Sequence, residues 1–163
     1  MNENNEYTQI GQSLTILKNV ILDQWERLVR QVIASSQHES SIILRDHIPH
    51  LLDQLELILK EGEINEVELG KSHGYHRSTM TDFSVADLMT EYSLLRETLI
   101  TYLYPSGGIE GAKLIHKFVD ILAKHSVVEF LNDQISHRTL TYEHMGNEVH
   151  ELINNPVIKT LEH

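Results

Sequence analysis

The stretch VEFLNDQISHRTLTYEHMGNEVHELI, residues 128–153, decides the fold. Apolar residues recur in it at alternating steps of three and four, a heptad pattern whose first and fourth positions face a neighbouring helix. The positions of this heptad seam are Val128, Leu131, Ile135, Arg138, Tyr142, Met145, Val149 and Leu152. β-branched residues at the first position with Leu at the fourth favour two parallel strands. The sequence therefore predicts that residues 128–154 form a coiled coil with a second copy of the chain.

Three residues weaken this heptad seam. Arg138 and Tyr142 replace smaller apolar residues at seam positions, and Gly146 lies beside them. A glycine inside a helix costs roughly 1 kcal/mol relative to alanine. A weakened coiled coil suits a helix pair that switches between two packings, and equally an imperfect structural rod.

The chain before the seam has the periodicity of amphipathic helices. A first helix is predicted over 13–34, with Ser13 as its N-cap, and a second one has Pro49 in its first turn. A third is predicted from Val85 to about Tyr104, before a break at 105–108. No segment alternates with period two, so we expect an all-α bundle of about four to six helices with a long C-terminal coiled-coil exit helix.

These signals divide the chain into four parts. Residues 1–12 are polar and predicted to be a disordered N-terminus, and residues 13–127 are predicted to be a helical sensor or input domain. Residues 128–154 are predicted to be a coiled-coil signalling helix. Residues 155–163 are a tail whose last three residues resemble the remnant of a purification tag.

Composition excludes several classes of function. Acidic residues outnumber basic ones by 24 to 13, which gives a formal charge of −11 that repels nucleic acid and anionic lipid. The chain has no cysteine, so disulfides, zinc–thiolate sites and thiol nucleophiles are excluded. No apolar run approaches the roughly 18 residues that span a bilayer, and the N-terminus lacks a secretory signal. We expect a cytoplasmic protein without nucleic-acid binding or membrane insertion.

Three segments resemble a known family. They are Arg45-Asp-His-Ile-Pro-His-Leu-Leu-Asp53, His73-Gly-Tyr-His-Arg77, and Phe83-Ser84 followed by Glu91-Tyr-Ser-Leu-Leu-Arg96. In this order and spacing they resemble the N-terminal sensor-type domain of the RsbRD family, named for a stressosome co-antagonist. The resemblance covers about residues 14 to 130.

The resemblance implies an all-helical input domain without catalysis of its own. Such domains stand at the front of bacterial sensor histidine kinases, so it implies a downstream kinase or other signalling domain as partner. Related stressosome sensor domains dimerise and have a globin-like fold without haem, so the bundle could be of that kind.

A set of polar residues is a candidate ligand or switch cluster. Its members are Asp46, His47, His73, Arg77, Glu91 and Arg96. His73 and Arg77 share a helix face at a spacing of four, and Asp46 or Glu91 could pair with Arg77 or Arg96. The alternative interpretation is a buried polar clamp that fixes helix packing, and such structural ion-pair networks are common.

The histidines raise two further alternatives. His47 with His50, and His73 with His76, are spaced so that a helix could present both to a metal, but no zinc signature surrounds them, and we expect no cofactor. His150-Glu-Leu-Ile-Asn-Asn-Pro156 resembles a phosphoacceptor box, but its proline is one residue too far along the helix. A histidine-based metal or small-molecule sensor and a histidine phosphotransfer protein therefore stay as alternatives.

No catalytic residue is predicted. The sequence has no Gly-rich phosphate loop with its lysine and no serine nucleophile motif. We therefore interpret the chain as a non-catalytic, homodimeric signal-input domain of a bacterial sensor histidine kinase or related stress-signalling protein. Its output would pass through the C-terminal helix.

Overall fold

The computed structural model of the chain describes residues 3–61 and 70–154, with side chains over 7–60 and 70–151. The described helices are α1 (Glu3–Val32), a 3₁₀ turn (Ala34–Ser36), α2 (Ser41–Arg45), α3 (Ile48–Glu61), α4 (Lys71–Ser78) and α5 (Val85–Asn154). No strand occurs in these two ranges, so the predicted all-α class with a long C-terminal helix is confirmed.

Helix α1 begins earlier than predicted. It starts at Glu3, so the predicted N-cap at Ser13 and the predicted disorder of 1–12 are wrong for residues 3–12. Ile10 is fully buried in the core, and the Ser13 hydroxyl instead pairs with the Ser106 hydroxyl at 2.6 Å. Contacts with distant parts of the chain therefore order a segment whose local sequence is polar.

Helices α2 and α3 begin where residues typical of helix N-termini occur in the sequence. The Ser40 hydroxyl caps α2 by accepting a hydrogen bond from the Ile43 amide at 3.3 Å. Pro49 is the second residue of α3, in the first turn, where its missing amide proton costs no helical hydrogen bond. Gly62, the expected stop of this helix, lies outside the described residues.

Helix α5 is a hairpin of two arms that join at Gly108. Gly108 has φ 52° and ψ −145°, a non-helical conformation that residues with a Cβ strongly disfavour. The chain reverses there: Tyr92 of the first arm bonds Ser126 of the second, and Arg96 pairs with Asp120. The predicted break at 105–108 is therefore present as a reversal of direction. Pro105 itself lies within the first arm.

The core lies between α1, α3, α4 and the two arms of α5. Trp25 of α1 is fully buried and donates its indole N–H to the Glu91 carbonyl of the first arm at 3.3 Å. Ile10 packs so closely on the turn of the hairpin that a Cβ at Gly107 would lie 2.1 Å from its Cδ1 atom. The small residue at the turn thus lets α1 close over the end of the hairpin.

The second arm of α5 extends beyond the packed core. Phe118, Val119, Leu122 and Phe130 are buried in the core, but every described side chain from Ile135 to Glu151 is exposed. We call residues 135–154 the projecting segment. Because the hairpin turns at Gly108, the start of the first arm lies beside the second arm. Phe83, Ser84 and Val85 share a cavity with Gln134, Ile135 and Arg138. No helix of the described ranges is long and apolar enough to cross a membrane.

Candidate functional site

A buried triad of Glu91, Arg77 and His73 lies between α4 and the first arm of α5. All three side chains are 0–1% exposed. His73 Nε2 lies 3.0 Å from Glu91 Oε2, and Arg77 Nε donates to both carboxylate oxygens at 2.9 and 3.0 Å. His73 and Arg77 are four residues apart in α4, so one helix face presents both to the same carboxylate.

Arg77 also holds the end of α2. Its Nη2 donates to the Leu44 carbonyl at 2.6 Å and its Nη1 to the Ile43 carbonyl at 3.2 Å. Its guanidinium carbon stands 5.6 Å from the centre of the Phe83 ring. One side chain thus links α2, α4 and α5, which favours the structural-clamp interpretation of the triad.

The triad has a defined electrostatic state. Burial lowers the pKa of His73, and the nearby charge of Arg77 adds to this effect against the attraction of Glu91. For Glu91, burial alone would raise the pKa, but the hydrogen bonds from His73 and Arg77 and the positive charge of Arg77 outweigh it, and the pKa is lowered. Glu91 therefore stays ionised at neutral pH beside the Arg77 cation, and His73 is neutral.

The second nitrogen of His73 has no protein partner. Its Nδ1 atom is buried without a hydrogen bond, beside a small cavity of about 80 Å³. That cavity is lined by His47, His50, Leu51, Gln54, Gly70, Ser72 and His73. A cavity of this size with several polar walls is large enough for ordered water.

A second cluster, Asp46, His47 and His76, lies next to the triad, and we call it the surface trio. Asp46 Oδ2 is 3.2 Å from His76 Nδ1 and 2.5 Å from His47 Nδ1. The three side chains are 26–39% exposed, and His47 and His76 border a cavity of about 630 Å³. Other residues of its wall are Lys71, Ser72, Tyr75, Thr79 and Glu129. Burial and the charge of Arg77 lower the pKa of His76.

Helix α4, which carries His73, His76 and Arg77, packs closely against the second arm of α5. A Cβ at Gly74 would lie 2.2 Å from the Ser126 carbonyl oxygen, so only glycine fits there. Ser126 donates to the Gly70 carbonyl at 2.5 Å, and the buried Tyr92 hydroxyl, whose pKa burial raises, lies 2.5 Å from the Ser126 hydroxyl. No motif of the sequence indicates Ser126, and only the glycine in His73-Gly-Tyr-His-Arg77 indicates a close approach at this point.

Two residues of the predicted sites lie elsewhere. Arg96 pairs with Asp120 across the hairpin and takes no part in the triad. His50 borders the small cavity but does not belong to the surface trio, and His73 is already bonded to Glu91. Of the four histidines considered for metal binding, the structure therefore brings His47 and His76 together with a carboxylate.

Another ion-pair network joins α1 to α2. The Glu26 carboxylate accepts hydrogen bonds from Ser41, Arg30 and Arg45 at 2.5–2.9 Å. Burial opposes its ionisation, but these donors lower the pKa of Glu26 to about 2. The arginine that opens the family-like motif therefore has a structural role here.

The heptad seam lies on the surface of the single chain. The exposed fractions are 52% for Val128, 44% for Leu131, 61% for Ile135, 73% for Tyr142, 54% for Met145 and 53% for Val149. Arg138 and His150 are also exposed, and the side chain of Leu152 lies outside the described residues.

Comparisons with protein-family models, with curated proteins and with solved structures gave no match to this chain. The resemblance to the RsbRD sensor-type domain therefore stays a prediction from three short motifs.

Proposed function

We propose that this chain is a non-catalytic signal-input module that pairs with a second copy through its C-terminal helix. The observation that carries the proposal is the projecting segment. It is a regular helix whose large apolar side chains with described positions are all more than half exposed on the single chain. Exposure of such a stripe to water is unfavourable by about 25 cal/mol per Å² of apolar surface. Packing against a matching helix buries this surface and removes the cost.

We call the described residues before Ile135, namely 3–61 and 70–134, the head. The path from the head to the proposed output is one continuous helix, the second arm of α5. Phe118, Leu122 and Phe130 pack in the core, and the same arm continues beyond Gln134 without a change of backbone conformation. A helix is stiff over this length, so a shift or rotation of its buried part moves its exposed part as well. A ligand or partner that favours one head packing would bias the paired helices in the same direction.

The resemblance to the RsbRD sensor-type domain supports a biological context. It favours a bacterial sensor histidine kinase, or a related stress-signalling protein, as the source of the output domain. The paired helices would then lead into the dimeric stalk of such a kinase.

Sedimentation equilibrium tests the pairing. Ile135→Glu places a charge at a seam position and should convert a dimer to a monomer. Leu140→Glu is the matched control, because Leu140 is similarly exposed but lies off the heptad seam. A dimer that survives Ile135→Glu, or a wild-type chain that sediments as a monomer, would refute the pairing.

Single-cysteine variants test the orientation, since the natural chain has no cysteine to interfere. Parallel, in-register helices bring each seam residue beside its own copy, so Ile135→Cys and Val149→Cys should both crosslink on mild oxidation. In an antiparallel pair, two positions 14 residues apart cannot both meet their own copies. Crosslinking of only one variant would therefore overturn the parallel arrangement.

A further inference from the structure

We propose that the surface trio of Asp46, His47 and His76 binds a divalent first-row transition-metal ion such as Zn²⁺. This site goes beyond the proposed pairing and lies within one head, so it can be tested whether or not the chain dimerises. Each of the three residues offers one ligand atom, and these atoms lie within 4.8 Å of one another. Two imidazoles and one carboxylate are a ligand set that zinc uses in open sites.

One of the distances between the ligand atoms already suits tetrahedral coordination. With metal–ligand bonds of about 2.0–2.1 Å, neighbouring ligands of a tetrahedral ion are about 3.3 Å apart. Asp46 Oδ2 and His76 Nδ1 are separated by 3.2 Å. His47 Nδ1 lies closer, at 2.5 Å from the same oxygen, and makes no hydrogen bond there. A small rotation of the partly exposed His47 or Asp46 side chain opens this contact to the required distance.

The protonation state of His76 also suits a ligand. Arg77 Nη1 lies 3.2 Å from His76 Nδ1, and because a guanidinium only donates, this nitrogen must carry the lone pair. A bound ion would replace that single hydrogen bond, and Arg77 would keep its bonds to Glu91, Ile43 and Leu44. The positive charge of Arg77 is offset by the buried carboxylate of Glu91.

The surroundings leave an open position for a further ligand. Three protein ligands leave at least one coordination position of zinc free, as in sites that bind exchangeable ligands. The cavity of about 630 Å³ beside His47 and His76 has room for water or a small anion there, and Glu129 and Lys71 stand on its wall.

Metal binding at this point would join two parts of the head. Asp46 and His47 lie in the connection between α2 and α3, and His76 lies in α4. Helix α4 in turn contacts the second arm of α5 through Gly74 and Ser126. An ion would therefore fix the position of α4 against the connection, next to the helix that continues into the projecting segment.

Titration with Zn²⁺ and Co²⁺ tests the site on chain that has no polyhistidine tag and has been dialysed against a chelator. We expect one ion per chain by calorimetry, and a visible Co²⁺ spectrum typical of tetrahedral or five-coordinate nitrogen and oxygen ligands. His47→Gln, His76→Gln and Asp46→Asn should each weaken binding by roughly tenfold or more. His144→Gln is the matched control, because His144 also lies near a carboxylate, Glu148, but outside the surface trio.

Nuclear magnetic resonance of the wild-type chain gives a second measurement that needs no variant. Zn²⁺ should shift the ring signals of His47 and His76 and leave those of His50 and His116 in place. Absence of stoichiometric binding, binding unchanged in the three variants, or shifts at His50 or His116 without shifts at His47 and His76 would overturn the site.

Discussion

The head and the projecting segment differ in which kind of side chain they bury and which kind they expose. In the head, the charged side chains of Glu91 and Arg77 are buried, and each is bonded to several partners. In the projecting segment, apolar side chains such as Ile135 and Tyr142 stand in water on the single chain. The head thus satisfies its buried charges within one copy, whereas the segment exposes the apolar surface for which we propose a second copy as partner. The contrast predicts that substitutions in the head alter folding, and substitutions in the segment alter association.

The largest expected effect is the loss of the buried carboxylate. Glu91→Ala leaves Arg77 buried without its counter-ion and should reduce the free energy of unfolding by about 3–5 kcal/mol. Urea denaturation followed by circular dichroism measures it. Glu148→Ala removes a carboxylate of the projecting segment that lies near His144, and should leave the denaturation midpoint of the head unchanged. Equal effects of the two variants would break the contrast between the two regions.

A pair of glycine substitutions compares packing in the two regions. Gly74→Ala places a methyl group 2.2 Å from the Ser126 carbonyl oxygen and should destabilise the head by about 1–3 kcal/mol. Gly146→Ala meets nothing within 4 Å and should stabilise the helix by up to about 1 kcal/mol. Thermal unfolding of both variants checks the opposite signs, and a stabilising Gly74→Ala would refute the close approach of α4.

The stability of the head should depend on pH through His73. Its pKa in the folded chain is below the ordinary value of 6.5, so the unfolded chain takes up a proton that the folded chain does not. Stability is therefore complete above about pH 6.5 and falls as the pH drops below it, by at most about 1.4 kcal/mol per pH unit for this group. Urea midpoints at pH 7.5, 6.5 and 5.5 measure the slope. His73→Gln should flatten it, and an unchanged slope would mean that other groups cause it.

The smallest effect concerns the charged position of the heptad seam. Arg138→Leu should tighten the dimer by roughly tenfold, since an apolar side chain suits a fourth heptad position better than a charge. The same substitution should leave the thermal stability of the head unaltered, because Arg138 is exposed on the single chain. Analytical ultracentrifugation at several concentrations measures the affinity. An unchanged affinity would count against the heptad assignment.

Local patterns predicted much of the head. The three-and-four spacing predicts a buried face of the first arm made of Leu88, Tyr92, Leu95, Leu99 and Tyr102. The first four are buried and Tyr102 is partly buried. The shared face of His73 and Arg77 also followed from their separation, and both side chains reach Glu91. These features depend on the pitch of one helix, which a sequence displays directly.

The spacing of residues along one helix does not predict which charged residues on different helices pair with each other. Arg77 and Arg96 were both possible partners of Glu91, and the fold assigns Glu91 to Arg77 and Asp120 to Arg96. Arg96 follows Glu91 by five residues in the same helix, which turns it about 140° away from the Glu91 side. The surface trio depends in the same way on how α4 lies against the connection between α2 and α3.

The amino-acid sequence by itself determined the helical class, the break near Gly108 and the heptad pattern, because each depends on residues within a few turns of one another. Tertiary structure alone decided that residues 3–12 are helical, which charges meet in the interior, and where the helix leaves the body. Those outcomes depend on contacts such as Ile10 with Gly107, whose partners are far apart in the chain and meet only after folding.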